Sequence, residues 1–106
     1  MKTVYIAHPL RGELTANVAK VTKICQRLSA ENKIIPLSPI HAFGFLSPEG
    51  DQSLVMQYCC KLLALADELW VFGDWQKSEG CRAEVIYASE NDIPIKFCNS
   101  EVGHEN

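Results

Sequence analysis

Glu84 stands in the setting most suggestive of chemistry, the run Ser78-x-Gly80-x-x-x-Glu84-x-x-x-Ala88. The run reads as a helix from Ser78 to about Asn91. With residue 79 at zero and about 100° per residue, Glu79, Arg82 and Glu90 fall between about 300° and 20°, the arc expected to face solvent. Gly80, Glu84 and Ala88 fall at about 100°, 140° and 180°, nearly opposite. Glu84 is therefore expected on the face that packs toward a sheet, between two small residues that let the helix come close. A carboxylate there has to be paired, protonated or used, because isolated buried charge is costly. Helical side chains lean toward the helix N-terminus, so Glu84 should point to the strand tips, where ionised it can act as a nucleophile. The plain alternative is a glutamate tied to a backbone N–H or to Arg11 with no chemistry, and spacing alone leaves both open.

Other residues gather at the same end. Ser78 reads as the helix N-cap, and with the free N–H groups after it makes an anion site. Arg11, in the turn His8-Pro9-Leu10-Arg11-Gly12, can hold a phosphate with two bonds, or be a solvated charge. Gly12 lets the backbone approach a ligand, or simply ends the turn. Tyr5 reads as core, with the option of turning its hydroxyl to a carboxylate in the crevice. Trp70 reads as core. Trp75, in the loop after the third strand, is placed to stack on a base.

The elements that position these residues alternate. Residues 3–7 read as a strand stopped by His8-Pro9, and 13–31 as a helix with Val18, Val21, Ile24, Cys25 and Leu28 on one side. Residues 34–37 read as a strand in which Pro36 favours an edge or a strand end. A loop is expected over 38–50, a helix over 51–66, a buried strand at 69–73, the Glu84 helix, and a last strand at 94–98. The order β-α-β-α-β-α-β predicts a small flavodoxin- or Rossmann-like three-layer α/β sandwich with a mainly parallel sheet of about four strands. In such folds ligands sit beyond the carboxyl ends of the strands, where the strand order reverses. One domain is expected over 1–98, with a polar tail at 99–106.

Composition narrows the function classes. A net charge of −3 disfavours a nucleic acid polymer as partner. No apolar run approaches the roughly 20 residues of a membrane span, and the opening MKTVYIAHP lacks the pattern of a signal peptide. A cytoplasmic protein with no membrane partner is expected. Cys25, Cys59, Cys60, Cys81 and Cys98 have no C-x-x-C spacing and fall mostly in apolar patterns, which predicts reduced, buried thiols. His8, His41 and His104 have no ligand spacing, so no metal is expected, and nothing calls for a cofactor.

Three segments resemble the nucleoside 2-deoxyribosyltransferase-like superfamily, which includes 2′-deoxynucleoside 5′-monophosphate N-glycosidases. They are Tyr5-Ile6-Ala7-His8-Pro9-Leu10-Arg11-Gly12, Ala66-Asp67-Glu68-Leu69-Trp70-Val71-Phe72-Gly73 and the Ser78–Ala88 pattern, and the likeness runs from Lys2 to about Phe97. The resemblance implies that Glu84 is a nucleophile attacking the anomeric carbon and that Tyr5 orients it. It further implies that Arg11 and Ser78 hold a 5′-phosphate and that Gly80 opens the helix beside the sugar. With His8, Gly12 and Trp75, these make up the expected substrate site. The chain departs from the pattern twice. Cys59 stands where the hydrolases carry an aspartate, eight residues before Asp67, and Pro9 replaces a serine of the phosphate loop. Asp51, Asp74 or a residue of another subunit are the candidates to replace that aspartate.

The expected activity is cleavage of the N-glycosidic bond of a nucleoside or its 5′-monophosphate, by hydrolysis or transfer. The small-molecule substrate is then the partner, and the resemblance implies a homodimer or higher homo-oligomer. Two rivals stay open: a non-catalytic binder of nucleotides or ribosyl metabolites, favoured by Cys59, and an oligomeric interaction module, hinted at by Ile86 on the polar arc of the Glu84 helix.

Overall fold

Period-two alternation in the first strand divides the core. In β1 (Lys2–Ala7), Val4 and Ile6 face one side and join Val21, Ile24, Leu28 and Phe72, while Tyr5 and Ala7 face the other and join Cys59, Leu63, Leu69, Val71, Cys81 and Ala88. The computed structural model describes residues 1–98. The tail expected at 99–106, with His104, lies outside the described residues.

The first side is covered by α1 (Leu14–Glu31), whose Val21, Ile24 and Leu28 recur at the spacing the sequence predicts. Asn32 ends this helix with its backbone in the left-handed region (φ 58°), the conformation that closes a helix and that asparagine tolerates. β2 (Ile34–Leu37) pairs with β1 on one flank only, with Pro36 opposite Val4, so its missing N–H falls in an edge strand. The expected loop over 38–50 holds a one-turn helix, α2 (Pro39–Ala42). Ser38 caps it by accepting the His41 N–H at 3.2 Å, and Pro39 sits in its first turn, where a missing N–H does no harm.

The other side is covered by two helices. α3 (Gln52–Leu63) is capped by Asp51, whose carboxylate accepts from the N–H groups of Ser53 at 2.9 Å and Leu54 at 3.3 Å. β3 (Glu68–Val71) follows, then a 3-10 turn over Trp75–Lys77, α4 (Glu79–Glu90) and β4 (Ile95–Phe97). All three strand pairings are parallel and the sheet order is β2-β1-β3-β4, a small Rossmann-like α/β sandwich as the alternation predicts. The chain runs from β1 outward to β2 and then back across to β3, so the order reverses between β1 and β3. That gap, at the carboxyl ends of the two strands, is where open α/β sheets bind ligands.

Two details of β3 differ from the sequence reading. The strand ends at Val71, earlier than expected, and Trp70 is half-buried rather than core. α1 lies over the β1–β2 half of its face, so the indole reaches the margin, where its Nε1–H donates to Glu68 Oε1 at 2.8 Å and Lys96 Nζ stands 4.3 Å from its ring centroid. At the amino end of the same strand, Asp67 is a structural clamp. Its carboxylate accepts the Thr3 N–H at 2.8 Å, and its own N–H donates to the Thr3 carbonyl at 2.8 Å.

Candidate functional site

Helix α4 carries Glu84 to the sheet in the way the wheel predicts. Cys81, Glu84 and Ala88 are its buried residues, while Glu79, Arg82 and Glu90 are exposed. Ser78 caps α4 by accepting the Cys81 N–H at 3.2 Å, which sets the first turn and hence the phase of the helix. Arg82 is held on the outside, donating from Nη1 to the Gln76 carbonyl at 2.7 Å. A Cβ built on Gly80 would stand 3.8 Å from Met56 Sδ, ordinary contact, so α4 and α3 come together here through small and flexible groups. Ile86 is 57% exposed on the outer arc.

Glu84, only 5% exposed, accepts a hydrogen bond from the hydroxyl of Tyr5, which β1 presents from the middle of the sheet with no exposed surface. The plain reading of Glu84, a carboxylate tied to a backbone N–H or to Arg11, is replaced by this side-chain pair. Burial pushes the Glu84 carboxyl up to about 7, against a smaller downward pull from the Tyr5 bond. Burial outweighs the one hydrogen bond, and Arg11 is exposed on its turn. Burial also raises the Tyr5 hydroxyl well above its usual 10, with the Glu84 charge adding to it, so the phenol stays protonated and remains a donor.

Three thiols complete the surroundings. Cys59 of α3, 8% exposed, belongs to the same buried cluster as Tyr5 and is pushed up to about 11 by burial and then by the Glu84 charge. Cys81 is pushed up to about 12 for the same two reasons, and Cys60 is also raised by burial and by Glu84. All are neutral at physiological pH. The five cysteines are free thiols, and among the described residues no group of His, Cys, Asp and Glu has the clustering of a metal site. The wheel contained the signal for Cys81, whose angle of about 200° lies beside Ala88. For Cys59 the approach to Tyr5 depends on how α3 packs on α4, which spacing does not encode.

The other candidates are distributed around this pair. His8, buried just past β1, has Nδ1 at 2.7 Å from the Pro9 carbonyl. Arg11 and Gly12 are exposed on the turn before α1; Gly12 has φ +100°, a backbone state that favours glycine, and open space where a Cβ would be. Asn17 anchors this turn by donating to the Leu10 carbonyl at 3.0 Å. Trp75, half-buried, stacks on Phe97 with ring centroids 5.1 Å apart, so one indole face is covered from within the chain. Asp51 and Asp74 are not beside Glu84: Asp51 caps α3, and Asp74 pairs with Lys77 at 3.4 Å on the surface. Among the described residues no helix is long and apolar enough to cross a membrane.

No curated protein matches the chain in sequence. Among solved structures, the fold is similar to that of a 2-deoxyribosyltransferase from the psychrotolerant bacterium Bacillus psychrosaccharolyticus, with a TM-score of 0.65 and 17% identity over 98% of this chain and 77% of that one. At that identity the likeness establishes the fold. The family is shown by sequence, since residues 2–98, from the first residue of β1 to the end of the described chain, match the family model described as domain of unknown function DUF7768, and the protein belongs to that family.

Proposed function

We propose that the protein cleaves the N-glycosidic bond of a nucleoside or nucleoside monophosphate, with Glu84 as nucleophile and Tyr5 as the residue that orients it. The observation that carries this reading is the buried hydrogen bond from the Tyr5 hydroxyl to the Glu84 carboxyl. A buried carboxyl with one donor and raised affinity for its proton is a common device of active sites. The name of the structural neighbour, a 2-deoxyribosyltransferase, supports the same class of substrate.

In this reading the ionised Glu84 attacks C1′ as the bond to the base breaks, and the glycosyl ester is resolved by water or by a second base. Tyr5 holds one carboxyl oxygen and leaves the other to face the sugar. Because Glu84 titrates near 7, the rate should rise as pH passes through about 7 from below. Arg11 on its turn and Ser78 at the head of α4 are the residues assigned to a 5′-phosphate, with His8 and Gly12 completing that loop, Gly80 beside the sugar and Trp75 toward the base. The carboxyl is 5% exposed, so a sugar reaches it only after the side chains over it shift. Met56, an unbranched thioether next to Gly80, is the flexible member on that side.

The depth of Glu84 also favours a second reading, a non-catalytic nucleotide binder in which the Tyr5–Glu84 pair only braces α4 against the sheet. One experiment separates the two. Nucleosides and their 5′-monophosphates, ribo and deoxy, are incubated with the protein and with Glu84→Gln, with and without a second base as acceptor, and free base is followed by chromatography. Release by the parent alone is the expected result. Ligand-induced thermal stabilisation without release would establish the binder instead.

A further inference from the structure

We infer that Ser38 is a reactive centre of its own, independent of Glu84: it accepts small activated acyl groups, with His41 as its base. Ser38 and His41 lie where the chain leaves β2 and enters α2. With Thr22, Cys25, Gln26 and Pro36 they line a groove of about 290 Å³ walled by α1, β2 and α2. Helix α1 covers the opposite face of the sheet from Glu84.

Hydrogen-bond directions fix the proton on the imidazole. Thr22 Oγ1 stands 2.8 Å from the Val18 carbonyl, which can only accept, so the threonine proton goes there. The same oxygen stands 2.8 Å from His41 Nε2 and is left to accept, so Nε2 carries a ring proton. In the neutral ring Nδ1 is then the acceptor. Ser38 Oγ, 2.7 Å from Nδ1, donates its proton to it. The bond that caps α2, from the His41 backbone N–H at 3.2 Å, uses a lone pair of the same oxygen. Capping therefore leaves the Ser38 O–H aimed at a base.

A hydroxyl, a base within hydrogen-bond reach and a third group that orients the base are the parts that activate a weak nucleophile. Thr22, tied to Val18 within α1, fills the third place and is a positioning residue. Ser38 is half-buried and His41 exposed, so a ligand in the groove reaches both. At about 290 Å³ the groove is at the small end for a small-molecule site, which suits acyl chains of a few carbons. Gln26 on its wall carries an amide that can donate to the carbonyl oxygen.

In the step, Ser38 Oγ attacks the carbonyl carbon of an activated ester or thioester. The Oγ–C bond forms as the hydroxyl proton passes to Nδ1. The bond from carbon to the leaving oxygen or sulfur breaks, and the leaving group takes that electron pair and then the proton from Nδ1. His41 is neutral again, with its Nε2–H still on Thr22, and the acyl group stays on Ser38.

The test incubates the protein briefly with para-nitrophenyl acetate and para-nitrophenyl butyrate, then locates and times the acylated residues by mass spectrometry of peptides. Ser47, an exposed turn serine whose Oγ accepts the Glu49 N–H at 3.2 Å, is the internal reference. Ser38 should be acylated about 100-fold or more faster than Ser47, the low end of what a positioned base supplies. His41→Asn, which keeps a polar partner near Ser38 but removes the base, should abolish the difference. Thr22→Val should lower the Ser38 rate and Thr22→Ser should restore it. Equal rates at Ser38 and Ser47 in the parent overturn the inference without recourse to any variant. So does a fast Ser38 rate that survives His41→Asn or Thr22→Val, and so does an adduct confined to the Cys25 thiol in the same groove.

Discussion

Two glutamates on opposite faces of one sheet have their proton affinities shifted in opposite directions. Glu84, under α3 and α4, has the Tyr5 hydroxyl and three thiols for company, and burial raises its carboxyl to about 7. Glu68, at the head of β3 on the α1 side, forms an ion pair with Lys2 and accepts the Trp70 indole N–H at 2.8 Å, and the Lys2 bond leads the causes that lower its carboxyl. The difference lies in cover. Two helices close the sheet over Glu84, whereas on the other face α1 leaves the β3–β4 margin open, so Glu68 keeps both a cation and water. The first arrangement makes a carboxyl ready to change charge near neutral pH; the second stitches β1 to β3 at the surface, where such pairs contribute little.

The comparison breaks most sharply at Glu84 itself. Glu84→Gln keeps the shape and the burial but removes the nucleophile, and base release should fall by on the order of 10³-fold or more, as loss of a nucleophile typically does. The chromatographic assay above reads this directly.

The next effect is on stability. Glu84 holds its proton more tightly in the folded chain than in the unfolded one, where the ordinary value is 4.5. Its contribution is fully present below about pH 4.5 and is lost as pH rises through about 7. At about 1.4 kcal/mol per tenfold change in proton affinity, the loss between those limits is on the order of 3 kcal/mol. Urea denaturation at pH 5 and pH 8 should show it, and Glu84→Gln should abolish that part of the pH dependence. An unchanged dependence in the variant would mean that Glu84 is ionised throughout.

Removing the donor is a smaller intervention. Tyr5→Phe leaves a buried carboxyl without its hydrogen bond, which should destabilise by about 1–3 kcal/mol at pH 8. It should also move the pH–rate profile to higher pH, because the Tyr5 bond is what pulls the Glu84 value down. A purely structural tyrosine would lower stability and leave the profile where it was. The smallest effect belongs to the open side. Glu68→Gln should lower stability only slightly near neutral pH, and that difference should vanish as pH falls and the parent carboxylate takes up its proton, the reverse of the trend at Glu84. Denaturation midpoints of parent and variant at pH 3 and pH 7 check this.

Much of this arrangement was legible in the residues. The alternation of elements, the edge position of a strand containing Pro36, the cap at Ser78 and the inward face of Glu84 each follow from local rules, because periodicity and capping depend on neighbours within one or two turns. Trp70 escaped those rules because an apolar strand does not reveal where its covering helix ends. Helix α2 escaped because Pro and Ser signal turn and helix start alike over so short a span.

What the sequence by itself determined is that a carboxylate would be carried to the sheet side of a helix, near the carboxyl ends of parallel strands. That information is periodic and sits within the run from Ser78 to Ala88. Tertiary structure alone decided which groups meet that carboxylate. Tyr5 is 79 positions away along the chain, and Cys59 arrives on a third element whose angle comes from side-chain packing. It decided the charge as well, since burial depends on everything that surrounds a group, and here it outweighs the single hydrogen bond that would keep Glu84 ionised.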